Sequence, residues 1–562
     1  MPKIPEVKSS LKLTKPRVLD TNLRPAIREN IGCYYQGALL PAVDYSHPPT
    51  LFAGIMKRFG TKVPDPDPAL FKELLDFASW YVKSIFRPCP SSSDVSPEAW
   101  LIKCPNYSQT RKLALLKIAK QIGRRLTLRN VTVTAFCKDE YYVENKHARL
   151  INSRDDAFKC MTGPYFRLIE EIFYKHEDFV KKIPVAERPQ ALFDKLSQVG
   201  IPVQCMDFKA MESHFTALTF ELEIQFYEYM TQHLQDGARF IQELRTVLKG
   251  INFMKFKDFY AIIEATRMSG EMNTSLGNAY VNWIISKFIA YKNGCLDKHR
   301  CFIEGDDSVV QSPYVPSPAE YKQLGFQIEM STVPTVETGS FCGLIFDPVD
   351  RVNVTDPMQE LITFGWTNRR YVGARRTTKL ALLRCKSLSM LYQYQGCPIL
   401  AALGRYGLRV TRRIAVDKIL NGMNLWEKEQ MNQALSKYKE DRYESIKNRP
   451  IGIRTRLLME TVFKVKVEDQ LAVESYLDSL NTLEPLVLPM LQKYMHPDWI
   501  AYYDQYVVAY PKQDFERNFY RYPVRTWHPL PGYKPDHDVT RYFIKVSEMR
   551  KIATESLRRP HV

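Results

Sequence analysis

No pair of cysteines is spaced as CxxC, although 11 cysteines are scattered along the chain. None of their spacings outlines a disulfide framework or a zinc finger, so a small disulfide-stapled scaffold is excluded and a reducing compartment is expected. The nearest approach to a metal cluster, Cys295, His299 and Cys301, lacks an identifiable fourth ligand. No run of about 18 uncharged apolar residues occurs. The opening stretch "MPKIPEVKSSLKLTKPRVLD" has no apolar h-region. The chain is therefore expected neither to be secreted nor to span a membrane by itself. No internal repeat is evident.

What is present points elsewhere. With 562 residues the chain exceeds the size of a single growing core, so roughly three or four structural units are expected. Hydrophobic residues at 45% and charged residues at 25% are ordinary for a soluble globular protein. The formal charge of +17 is not ordinary. It suggests a polyanionic partner, nucleic acid before anionic membrane, because no basic amphipathic helix with a wide apolar face stands out. Between Lys103 and Arg154 twelve basic residues face three acidic ones, with Tyr107, Phe136, Tyr141 and Tyr142 interleaved. A solvated basic face would account for the same run.

Pro-rich punctuation at "KVPDPDPAL" and "FRPCPSSSDVSP" marks loops in the N-terminal region. "GIPVQCMD" reads as a buried strand ending in Asp207, between segments of helical periodicity. "SGEMNTSLGNAYVNWIISKFIAYKN" is a glycine turn feeding a long buried helix, "CFIEGDDSVVQS" a strand, tight turn and strand, and "SPAEYKQLGFQIEM" a helix followed by an extended segment. "GSFCGLIF" reads as a further short strand, and the chain beyond about 355 as mostly helical. Helices alternating with hairpin-type strands give an α+β fold with a central antiparallel sheet.

Asp306 and Asp307 are adjacent like charges at the tip of the expected hairpin. A solvated Gly-Asp turn would explain them, and so would a divalent cation held between carboxylates. A two-metal site needs a third hard ligand, and Asp207 at its strand end is the candidate. Mg²⁺ suits such a site because it keeps waters and shares phosphate oxygens with a substrate. Glu212 follows five residues later, and Thr274 and Asn278 lie four apart on one helix face, as acceptors and donors suited to a ribose. Each singly is also an ordinary helix-start or turn residue.

In order, "MDFKAMESHF", "SGEMNTSLGN" and "IEGDDSVV" resemble motifs A, B and C of the RNA-dependent RNA polymerases of positive-strand RNA viruses, the tombusvirus and nodavirus-like group above all. "FCKDEYYVENKHARLI" is similar to motif F, "EYKQLGFQIEM" to motif D and "GSFCGLIF" to motif E, so six motifs follow in the family's order over residues 136 to 346. The family usually has an aspartate where this chain has Glu212, one methylene longer, which still accepts hydrogen bonds.

The resemblance implies a right-hand fold of fingers, palm and thumb. Residues 1–165 would form an N-terminal extension and fingers, 166–350 the palm with a fingers segment at about 230–266, and 351–562 the thumb and C-terminal region. Asp207 and Asp306 would hold Mg²⁺, or Mn²⁺ in its place, with Asp307 assisting. Glu212 and Asn278 would sense the ribose 2′-hydroxyl, supported by Ser269 and Thr274. Lys138, Lys146 and Arg149 would offset the triphosphate charge, and Lys322 would serve as the motif D general acid. Ser340, Phe341, Cys342 and Gly343 would grip the primer, and a side chain at Gly305 would crowd the primer terminus.

RNA template and product and NTPs are the implied ligands, with other viral replicase proteins and host membranes as indirect partners in cytoplasmic replication complexes. A reverse transcriptase would share the carboxylates but typically carries an aromatic 2′-hydroxyl block, and a non-catalytic RNA-binding viral protein would share only the charge.

Overall fold

A computed structural model describes residues 6–17, 26–38, 42–43, 48–104, 107–123, 126–140, 147–420, 431, 434–436, 448–497, 521–524, 526–527 and 542–559. Four short apolar stretches, Val203–Phe208, Arg300–Glu304, Asp307–Gln311 and Ile328–Val333, pair into one sheet. The Asp207 strand lies between Ile328–Val333 and Asp307–Gln311, with Arg300–Glu304 at the far edge, and all three pairings are antiparallel. Val203–Phe208, Arg300–Glu304 and Asp307–Gln311 are covered on both faces, which is why their middles read as continuous apolar runs, whereas the edge strand Ile328–Val333 is largely exposed. Met206, Phe208, Ile303 and Val310 join the largest core, whereas Cys205, Phe302 and Val309 join a smaller one on the other face.

The helix Thr274–Lys292 is buried around nearly its whole circumference, from Leu276 and Tyr280 to Trp283 and Ile284. Its all-round apolar character places it inside the larger core beneath the sheet, as the glycine-turn reading expected. The hairpin at 300–311 and the helix and strand at 318–333 also form where the sequence placed them. "GSFCGLIF" differs. Only Ile345–Phe346 is strand, because Cys342 and Gly343 both take left-handed conformations, φ +54° and +73°, which turn the chain between Phe341 and Leu344.

A second sheet runs in the order Lys12–Leu13, Tyr260–Glu264, Ile251–Lys255, Thr132–Cys137, Leu150–Arg154. One of its pairings, Thr132–Cys137 with Ile251–Lys255, is parallel and the others are antiparallel. The protein is thus a mixed helix-and-sheet fold. Its cores are shared across the divisions at 165 and 350. Ile31, Cys33 and Tyr35 enter the core of the C-terminal helices, where the Tyr35 hydroxyl donates to the Leu488 carbonyl at 3.0 Å. The C-terminal helix Val546–Ser556 in turn sets Met549 and Ala553 against Ile251, Phe253 and Ile262.

Candidate active site

The turn joining Arg300–Glu304 to Asp307–Gln311 consists of Gly305 and Asp306. Gly305 sits at φ +63°, a conformation a two-residue hairpin turn requires at its first position and glycine adopts without steric cost. Nothing in the protein lies within 4 Å of a Cβ built there, so within the chain the backbone conformation by itself accounts for the glycine. Met206 pairs with Ser308 across the sheet. Asp207 follows Met206 and Asp307 precedes Ser308, so the two carboxylates flank this last pair at one end of the sheet, with Glu329 across from Asp207 on its other side.

Electrostatics report the same proximity. Desolvation, then the charges of Asp306 and Asp207, push the Asp307 carboxyl up to about 7. Desolvation, then Asp306 and Glu329, push Asp207 up to about 6. Asp306 is raised by desolvation and by Glu212. Two cations oppose this at both Asp207 and Asp306, Arg149 and Arg58. Mutually repelling carboxylates of this kind are hard oxygen donors and fit a divalent cation. They do not form a closed cage, since among the described residues no three such side chains are gathered at metal-holding distance. An open set suits Mg²⁺, which takes one or two carboxylates and completes its shell with water and phosphate oxygens.

Arg149 reaches the site from the motif F hairpin. The ladder pair Cys137 and Leu150 is extended by the Lys138 N–H, which donates to the Arg149 carbonyl at 2.8 Å. Glu140 pairs with Lys138 at 3.0 Å and with Arg149 at 3.5 Å. Lys146 lies outside the described residues.

Glu212, only 7% exposed, follows a left-handed Ala210 and accepts from the Arg58 guanidinium at 2.9 Å. Arg58 lies in the single turn Met56–Gly60, which Thr61 closes by donating to the Met56 and Lys57 carbonyls. Lys8 laces the neighbouring chain, donating to the Ser213 carbonyl at 2.7 Å and to the Thr266 hydroxyl at 3.2 Å.

The motif B turn rests on two buried ion pairs. Arg267 pairs with Glu223, which also accepts from Asn273 at 2.7 Å and from the Tyr227 hydroxyl. Arg154 pairs with Glu271 and donates to Asn252 at 2.6 Å. The Ser269 carbonyl accepts from the Asn152 N–H at 2.6 Å. The Thr274 hydroxyl accepts from Gly270 and donates to the Met268 carbonyl, so it is engaged within the turn. Asn278 keeps a buried Oδ1 with no partner. One turn on, the Asn282 amide lies against the hairpin carbonyls of residues 305 to 307.

Ser340 and the Phe341–Leu344 turn lie beside the hairpin, where the Cys342 thiol hydrogen-bonds Asp307. Burial and the nearby carboxylates push that thiol well above its usual range. Lys322 is on the exposed side of the Pro318–Gln323 helix and is not among the largest charge contributions at the three carboxylates. Sequence reasoning missed Arg58, Asn282 and the Arg–Glu pairs. Asn282 alone left a local signal, a polar amide inside an otherwise apolar helix.

Residues 56–332 match the model of a family described as viral RNA dependent RNA polymerase, a span that takes in the segments expected to be motifs F, A, B, C and D. Among curated relatives, the RNA-directed RNA polymerase of carnation mottle virus is 24% identical over 319 residues, covering 52% of this chain and 40% of the relative. That of melon necrotic spot virus is 22% identical over 391 residues, 64% of this chain and 47% of the relative. That of Panicum mosaic virus is 22% identical over 471 residues, 74% and 42%. The chain spans less than half the length of each.

Proposed function

We propose that the chain is an RNA-directed RNA polymerase that copies a viral RNA genome, extending a strand 5′ to 3′ by in-line attack of its 3′-hydroxyl on an incoming NTP. The observation that carries this reading is the juxtaposition of Asp207, Asp306 and Asp307 at one sheet end with Arg149 and Arg58 opposing them, inside the segment that matches the polymerase family. The four-stranded sheet serves as palm, the five-stranded sheet as fingers and the C-terminal helices as thumb of a right-hand fold.

Asp207 and Asp306, with Asp307 assisting, would hold Mg²⁺, or Mn²⁺ in its place. When bound, such ions lower the pKa of the attacking hydroxyl and stabilise the departing pyrophosphate. The protein's own groups do the rest. Lys138, Lys146 and Arg149 offset the triphosphate charge, with Arg149 already close enough to act on two of the carboxylates. Glu212 and the unpartnered Asn278 Oδ1 read the ribose 2′-hydroxyl, with Ser269 and Thr274 shaping the turn beside them. Lys322 donates a proton to pyrophosphate, which requires its helix to approach the site on nucleotide binding. Ser340, Phe341, Cys342 and Gly343 support the primer end. No helix among the described residues is long and apolar enough to cross a membrane. Other viral replicase proteins, and host membranes indirectly, are the partners this reading implies.

The test is incorporation of labelled NTPs on a defined RNA template, with and without primer, in Mg²⁺ or Mn²⁺. Incorporation abolished by Asp306→Ala with RNA binding retained supports the reading. Preference for dNTPs, or undiminished incorporation by Asp306→Ala, overturns it.

A further inference from the structure

We propose that Asn282 is a positioning residue that locks the carboxylate hairpin onto the nucleotide-reading helix. Its functional consequence rests on the polymerase reading above. Asn282 is fully buried in the middle of Thr274–Lys292, one helical turn beyond Asn278. Asparagine is a poor helix former, and a buried amide is costly unless hydrogen-bonded, so this position demands a partner.

The partner is the hairpin backbone. Asn282 Nδ2 lies 3.2 Å from the Gly305 carbonyl oxygen, 3.1 Å from that of Asp306 and 3.3 Å from that of Asp307. Its two N–H groups are shared among three acceptors. The carbonyls of Gly305 and Asp306 belong to the turn, beyond the last ladder pair of Asp307 with Glu304. Flipping the amide would set Oδ1 against three carbonyl oxygens, so electrostatics hold the N–H groups toward the turn.

The same helix and hairpin are joined a second time lower down. The Asp178 carboxylate takes the Trp283 indole N–H at 2.8 Å and the Lys287 ammonium at 2.9 Å, while its backbone carbonyl accepts from the Ile303 N–H at 2.9 Å. Asp178 therefore secures the strand at Ile303, two ladder pairs from the turn, and Asn282 the turn itself. Because Asn278 and Asn282 are one turn apart on a rigid helix, the Asn282 bonds set how far the carboxylates stand from the group that reads the ribose. A shift of about 1 Å in such an arrangement can lower a rate about a hundredfold.

Three substitutions in the full chain separate this from general packing. Asn282→Asp keeps the shape but removes both N–H groups, Asn282→Ala removes the side chain, and Asn282→Ser keeps one donor. Each is compared with wild type by single-nucleotide incorporation on a primed RNA template at varied NTP and Mg²⁺, and by amide hydrogen exchange of peptides spanning 300–311. Asn282→Asp and Asn282→Ala are expected to lower kcat about tenfold or more, with NTP KM within about twofold of wild type and a raised half-saturating Mg²⁺. Exchange should quicken within 300–311 and stay unchanged elsewhere, and Asn282→Ser should fall between. Wild-type kcat and exchange in Asn282→Asp would overturn the proposal, as would loss of protection spread across the chain in all three variants. Absence of incorporation by the wild type would remove the polymerase reading instead, while the exchange comparison, run without NTP or metal, would still decide whether Asn282 holds the hairpin.

Discussion

The Arg58 guanidinium donates to the Glu212 carboxylate at 2.9 Å, tying a single turn near the N-terminus to the segment that follows the Asp207 strand. The pair is largely shielded, and the same cation acts on Asp207 and Asp306. Arg58→Gln should leave Glu212, the proposed reader of the ribose 2′-hydroxyl, without its charged partner. NTP KM is expected to rise about tenfold, the worth of one charge-assisted hydrogen bond, and discrimination against dNTPs to fall. Unchanged KM and unchanged discrimination in steady-state incorporation would confine Arg58 to a folding role.

Raised carboxyl pKa values make stability depend on pH with a definite sign. Asp207 and Asp307 sit at about 6 and about 7, above their unfolded values near 4. Between those limits the folded chain binds more protons than the unfolded one, so this contribution is fully present below about pH 4 and is lost as pH rises through about 7. In chelator, the thermal midpoint of Asp307→Asn should therefore exceed that of wild type at pH 8 and match it more closely at pH 4. Added Mg²⁺ should raise the wild-type midpoint at pH 8 more than at pH 5. Scanning calorimetry across this range checks both, and equal behaviour at the two ends would show that the carboxylates do not repel in the folded chain.

At Asp178 the sign reverses. Burial alone would push its carboxyl up, but Lys287, Lys195 and His176 together hold it well below the usual carboxylate range. Its stabilisation is present above about pH 4 and lost as pH falls further. Asp178→Asn would leave Lys195 and Lys287 without their shared counter-ion and should cost about 3–5 kcal/mol in urea unfolding at pH 7. The gap between variant and wild type should narrow in acid. A gap that is constant with pH would mean that lost hydrogen bonds, rather than charge, account for the cost.

Alanine ordinarily favours a helix over glycine by about 1 kcal/mol. Gly277→Ala should do the opposite, because its Cβ would collide with the Glu223 carboxylate and the Arg267 guanidinium, both fully buried. Destabilisation of about 1–3 kcal/mol is expected, together with weaker incorporation as the motif B turn shifts. A stabilised variant in denaturant titration would show that the ion pair can move aside.

Much of the site was legible because its chemistry is local. A Gly-Asp-Asp turn between two apolar runs must fold back on itself, and a glycine turn before an all-apolar stretch must become a buried helix, so Asp306, Asp307 and Asn278 could be placed on their elements from spacing alone. Asp207 at a strand end was equally plain. Family order of the motifs then joined these pieces.

The amino-acid sequence by itself determined the elements, the buried faces and the kind of chemistry, since hydrophobic period and turn geometry act over a few residues. Only the tertiary structure decided which distant groups meet. Arg58 and Glu212 are 154 residues apart, the Asn152 N–H finds the distant Ser269 carbonyl, Ile31, Cys33 and Tyr35 enter the core of the C-terminal helices, and Met549 and Ala553 pack against the strands that hold Ile251 and Ile262. An arginine bound for a buried carboxylate has the same local pattern as one bound for solvent. Its partner is chosen by long-range packing, which leaves no periodic trace in the sequence.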